Sequence, residues 1–274
     1  MARVLRRLAH LALSLSVLSA GAAPARLLFP KSLHLTRQIQ DPLSAKTITM
    51  EEYCSGNRMV TITADRTVIV DYEKQEVTEI DRHAGTYSLT RFDEIASVVA
   101  ETGKTALMAK PQRNWKATPL GVRGAAGRSV EQFEFVDGEA TGRKVEVGVD
   151  RSIALSREAV EVLIGAAYPN PVRDEHDAVL RAANARGGVG REVKTNSADD
   201  DGDASYSLPL TQAFTYADAG TEVTFRTTIT RVGAETVPAD ALIIPPASKR
   251  VESRTTTIQR QLRELDQPAS PRGN

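Results

Sequence analysis

The stretch that most narrows the fold is residues 58–89, "RMVTITADRTVIVDYEKQEVTEIDRHAGTYSL". Val60 and Ile62 alternate with polar residues, then Val68, Val70 and Tyr72 do the same. Glu73-Lys74-Gln75-Glu76 interrupts, Val77 to Ile80 follows, and His83-Ala84-Gly85 marks another turn before Tyr87 and Leu89. A period of two puts successive side chains on opposite sides of an extended backbone. Short alternating runs joined by polar turns predict an antiparallel meander. The same period recurs upstream at Leu33, Leu35 and Ile39 and at Ile48 and Met50. Downstream it recurs at Phe133 and Phe135, at Val145, Val147 and Val149, and at Val223, Phe225, Thr227 and Ile229.

The period changes three times. Phe92, Ile95, Ala96 and Val99 follow helical spacing, with Thr90 as the expected cap and Gly103 as the stop. Ser156 opens a second helix, with Val160, Leu163, Ile164 and Ala167 on one side. Val172, Val179, Leu180 and Ala183 predict a third. The segment "KPQRNWKATPLGVRGAAGRS" holds two Pro, three Gly and the only Trp, and is expected to be a loop and turn. No linker or repeat divides the chain. The order predicts one α+β domain: a large antiparallel sheet with about three helices.

Charge excludes one partner class. Thirty-five Lys and Arg balance 35 Asp and Glu, so no basic surface calls for nucleic acid. Arg3, Arg6 and Arg7 precede the apolar "LALSLSVLSAGAA" and the small residues through Ala25. That order predicts an export signal over residues 1–25, cleaved after Ala22 or Ala25. The domain is then expected over residues 26–253 and a flexible tail over 254–274. No Cys lies near the cleavage region, and no apolar run reaches the ~18 residues that a spanning helix needs. The expected location is the periplasm or the medium, neither transmembrane nor lipid-anchored. Cys54 is the only cysteine, so no internal disulfide is expected, and the thiol is placed near the Gly56-Asn57 turn.

No catalytic constellation is visible. The chain lacks a nucleophile elbow, a phosphate-cradling glycine loop and a dinucleotide fingerprint. His34, His83 and His176 are scattered without metal-ligand spacing. Asp199-Asp200-Asp201-Gly202-Asp203 fails as a calcium loop, because Ser197 and Leu208 fall where the first ligand and the bidentate Glu belong. Arg181, Arg186 and Arg191 lack interleaved aromatics. No catalytic residue, metal or cofactor is therefore expected, and the chain is not expected to be an enzyme.

Three stretches carry a resemblance. They are "GNRMVTITADRTVIVDYEKQEVTEIDRHAGTY", "GRSVEQFEFVDGEATGRKVEVGVDRSIALSREAVEVL" and "SLPLTQAFTYADAGTEVTFRTTITRVGAETVPADALIIPPASKRVES". Together they resemble exported bacterial proteins of unknown function related to the lipoprotein-localisation (LolA/LolB-like) superfamily, over most of residues 33–252. The resemblance implies an incomplete β-barrel, one large curved antiparallel sheet whose concave face is covered by helices. It also implies a cavity between sheet and helices for a lipid or a lipoprotein acyl chain. The residues placed to line it are Val68, Val70, Tyr72, Phe133, Phe135, Val145, Val147 and Val149, with Val160, Leu163 and Ile164 from the second helix and Val223, Phe225 and Ile229 from the last strand. The implied role is a soluble envelope protein binding an apolar ligand. The alternative is a non-enzymatic sensor or interaction module that touches an envelope membrane protein.

Overall fold

In the computed structural model of the 274-residue chain, residues 27–40, 42, 46–105, 115–138, 142–167, 173–184, 205–218 and 221–266 are described. The expected export signal, the acidic run 199–203, Val172, Arg186 and Arg191 lie outside them. So does the end of the expected tail, residues 267–274.

The meander forms as its period dictates. β1 (Phe29–Gln40), β2 (Thr47–Gly56), β3 (Arg58–Ile62), β4 (Arg66–Asp71), β5 (Glu76–Asp81) and β6 (Thr86–Arg91) pair in sequence, all antiparallel. The second half contains β7 (Trp115–Ala125), β8 (Arg128–Asp137), β9 (Lys144–Leu155), β10 (Tyr206–Asp218) and β11 (Thr221–Gly233). β11 pairs with β1 and so joins the halves. A short β12 (Lys249–Arg250) runs parallel to β6. The result is a single twelve-stranded open sheet, ordered β12-β6-β5-β4-β3-β2-β1-β11-β10-β9-β8-β7. Register shifts interrupt the β1–β2, β1–β11, β9–β10 and β7–β8 ladders. Bulges of this kind bend a strand and increase its twist.

Four α-helices occur among the described residues, one more than expected. α1 (Phe92–Thr105) packs on β6, and its Phe92 and Ile95 join the core with Tyr72 and Val77. α2 (Arg157–Ala167) and α3 (Arg173–Ala183) pack on each other and on β10. Ser156 caps α2 as expected, its Oγ accepting the Ala159 N–H at 3.1 Å. Thr90 does not cap α1. It is a buried residue of β6 opposite Val77, and the Phe92 N–H donates to Gln75 O at 2.9 Å instead.

Two further expectations are corrected. The Pro- and Gly-bearing segment after residue 110 is not all loop: Trp115–Ala125 is the outermost strand, β7. Pro and Gly are tolerated there because an edge strand has one side that no ladder bond uses. The chain also does not loosen at residue 254. Arg254–Asp266 is helix α4, which packs against α1, and the Ser253 hydroxyl accepts the Thr256 N–H at its start.

Between β11 and β12 the chain crosses the whole meander. Residues 234–248 leave beside β1 and arrive beside β6. They form a strap on the sheet face that carries His34, Tyr53 and Val60. Glu235 bonds His34 there, and Val237 lines a pocket with Tyr53 and Val60. The strap contains a 3-10 turn at Ala239–Leu242, and Asp240 O accepts from Arg82 Nη2 at 2.8 Å.

Candidate binding face beneath α2 and α3

Facing residues of neighbouring strands share a side of the sheet, so the registers define the inner face. Leu35 stands opposite Glu52, Arg37 opposite Ile229, and Ile39 opposite Thr227. Gln212 stands opposite both Thr227 and Val147, and Val147 opposite Phe133. α2 lies over this face, where Arg37 Nη2 donates to Leu163 O at 3.3 Å.

The expected lining residues fall into two apolar groups. Tyr72, Leu163 and Ile229 are buried in one, and Val68 and Val70 pack against it. Phe133, Phe135, Val145, Val147, Val149, Val160 and Ile164 are buried in the other, with half-buried Phe225 against them. Val223 is half-buried and joins neither. α2 divides the groups: Ala159, Val162 and Leu163 belong to the first, Val160 and Ile164 to the second. α3 completes the second with Ala178, Val179, Leu180, Ala182 and Ala183. Arg151 fixes the end of α3, donating to Ala183 O and Asn184 O while its guanidinium lies 5.6 Å from the Phe133 ring centre.

The face also carries polar groups that the periodicity does not single out. Arg37 donates from Nε and Nη2 to the two carboxylate oxygens of Glu52, both at 2.9 Å. The Thr227 hydroxyl and Gln212 Oε1 are buried without a hydrogen-bond partner among the described residues. Cys54 lies near the Gly56-Asn57 turn as expected, at the end of β2, and its side chain is buried in the first group; burial pushes its thiol well up, with the Glu52 charge adding to the shift. A charged residue at the i+2 spacing of Leu33 and Leu35 was the available sign that Arg37 faces inward.

The opposite face holds a second feature. His34 lies between two carboxylates, with Nε2 2.6 Å from Glu51 and Nδ1 3.1 Å from Glu235, and stacks on Tyr53 at 4.2 Å. Glu235 also pairs with Arg231. Gly233, opposite His34, makes room for this, because a Cβ there would collide with the Glu235 carboxylate. Beside it is a pocket of about 350 Å³ whose lining includes Tyr53, Asn57, Arg58, Asp71, Glu73 and Glu235. Asp81 accepts the Ala84 N–H within its turn, and His83 is exposed. No three His, Cys, Asp or Glu side chains are placed to hold a metal ion among the described residues, and no described helix is long and apolar enough to cross a membrane.

No family model and no curated protein sequence matches this chain. Among solved structures it is similar to an uncharacterized conserved protein from Thermus thermophilus, at 7% identity and a TM-score of 0.40, over 81% of this chain and 91% of that one. It is similar to MucB, which has also been solved in complex with MucA(peri), at 12% identity and a TM-score of 0.36. That match covers 90% of this chain and 63% of MucB, so this chain spans less than two thirds of MucB's length. It is also similar to a putative outer membrane lipoprotein-sorting protein domain from Vibrio parahaemolyticus, at 9% identity and a TM-score of 0.28, over 77% and 88% of the two chains.

Proposed function

We propose that this chain is a non-enzymatic, exported envelope protein that holds a lipid or lipoprotein acyl chain between the inner sheet face and α2. The observation that carries this reading is the seat of α2. Its Val160 and Ile164 pack into one apolar group and its Val162 and Leu163 into another, over a face whose two groups combine aliphatic and aromatic side chains. Apolar contact is non-directional, so a helix held in this way can repack around an alkyl chain at little cost in lost geometry. The basic–apolar–small order of residues 1–25 supports export.

The test is extraction of lipid from protein purified out of its native envelope, followed by mass spectrometry and by titration with a fluorescent fatty acid. A co-purifying alkyl component and saturable probe binding are expected. Absence of both overturns the reading.

A second reading has an observation of its own. Val145, Val147, Val149 and Ile164 have no exposed surface, so the interior is closed by the protein's own side chains. That packing suits an interaction module whose role is a lipid-free complex with an envelope membrane protein. Leu163→Glu separates the two: a folded variant that no longer binds the probe supports the carrier, and an unfolded one supports the packed module.

A further inference from the structure

We propose that Thr227 and Gln212 form a polar subsite on the inner face, and that it selects an acyl chain in amide linkage. This rests on the acyl-binding reading above. The two residues face each other across β10 and β11, and each is 1% exposed. Thr227 Oγ1 and Gln212 Oε1 have no hydrogen-bond partner among the described residues. Buried oxygens in that condition are costly, and protein interiors rarely keep them unless something satisfies them.

Their surroundings are hydrocarbon. Phe225 and Ile229 flank Thr227 along β11, and Leu210 and Phe214 flank Gln212 along β10. Ile39 and Val147 stand opposite on the outer neighbours. α2 and α3 both cover β10, so whatever parts the helices from the sheet uncovers this pair.

The donor and acceptor inventory narrows the ligand. The amide oxygen of Gln212 only accepts, whereas the Thr227 hydroxyl can donate. A matching group offers both an N–H and a carbonyl oxygen. Opposed strand residues have Cβ atoms about 4.5–5.5 Å apart, a separation that one amide group bridges. An ester has no donor for Gln212. A free carboxylate has no donor either, and the guanidinium farther along the face is already bonded to Glu52 and to Leu163 O. The head group is therefore neutral, and the secondary amide of an N-acylated molecule fits it.

The experiment uses the full chain with a bound fluorescent fatty-acid probe, displaced by N-methyl dodecanamide or by methyl dodecanoate. The amide is expected to displace the probe at about tenfold lower concentration, the equivalent of one net hydrogen bond. Gln212→Leu, alone or with Thr227→Val, should remove the advantage, and Gln212→Leu alone should leave the ester's affinity in place; Thr227→Val alone should weaken both compounds, because both present a carbonyl to its hydroxyl. Equal potency in the parent, or an advantage that survives both substitutions, overturns the subsite while leaving acyl binding intact. Failure of the parent to bind the probe or either alkyl compound overturns the acyl-binding reading and the subsite with it. The comparison within the parent decides the matter even if a variant fails to fold.

Discussion

Arg37 and Glu52 make a two-point ion pair on the inner face, with the guanidinium fork on both carboxylate oxygens at 2.9 Å and side-chain exposures of 1% and 0%. The residues sit on neighbouring strands, and the same guanidinium reaches the carbonyl of Leu163 in α2. Two charges are thus removed from water together and satisfied by each other and by a helix.

Breaking this pair from one side should cost far more than removing it whole. Arg37→Met or Glu52→Leu alone leaves a buried charge without its partner and is expected to cost about 3–5 kcal/mol. The double substitution should restore most of that loss. Urea denaturation of the parent, both single variants and the double variant measures the difference. Additive losses would show that the two side chains act independently.

His176 predicts an acid weakness. It is buried in α3 with Nδ1 unbonded among the described residues. Burial, and then the charge of Arg157, pull its pKa down from 6.5 to about 4. The native state keeps the ring neutral where the unfolded chain takes up a proton. This group therefore leaves stability unchanged above about pH 6.5 and removes it as pH falls from about 6.5 to 4, by up to ~3 kcal/mol. His176→Leu should flatten that part of the pH–stability curve, measured by urea midpoints from pH 7 to 4. An unchanged slope would place the acid sensitivity elsewhere.

β7 predicts an association hazard held in check. Val122 is 64% exposed and Leu120 41% on a strand with no outer neighbour in the sheet among the described residues. Pro119 lacks an N–H, and the register shift between Pro119 and Gly121 disturbs the ladder. Gly121 has φ +90°, where a side chain is strained. Pro119→Thr combined with Gly121→Thr should leave a flatter edge. Sedimentation velocity across a concentration series should show stronger self-association than the parent shows, and no increase would show that other features guard the edge.

α4 is expected to contribute to stability. Thr255 and Ile258 are buried, and the helix packs on α1. Ile258→Ala should cost about 2 kcal/mol or more, in the range for a truncated core aliphatic. Removal of residues 254–274 should lower the melting temperature further. No change in either would mean that α4 docks without stabilising α1.

The sequence by itself determined the elements whose period is local. The alternation of Leu33, Leu35 and Ile39 and of Val145, Val147 and Val149 names the buried side of β1 and β9, and both sets are buried. Ser156 marks the start of α2, because capping needs only residues three apart. The tertiary structure alone decided which strands are neighbours. β1 meets β11 across nearly the full chain, and that pairing brings Arg37 beside Ile229 and sets Thr227 against Ile39. Glu52 becomes an acceptable buried carboxylate only once β2 lies against β1, and no spacing rule within either strand states this. Trp115–Ala125 carries the Pro and Gly of a loop, and is a strand because its place at the end of the sheet leaves one side free of ladder bonds. Residues 234–248 become a strap because β11 and β12 lie on opposite sides of the meander. Periodicity sets the face that a residue occupies, whereas its neighbours on that face are fixed by contacts between distant segments, whose closure no local pattern records.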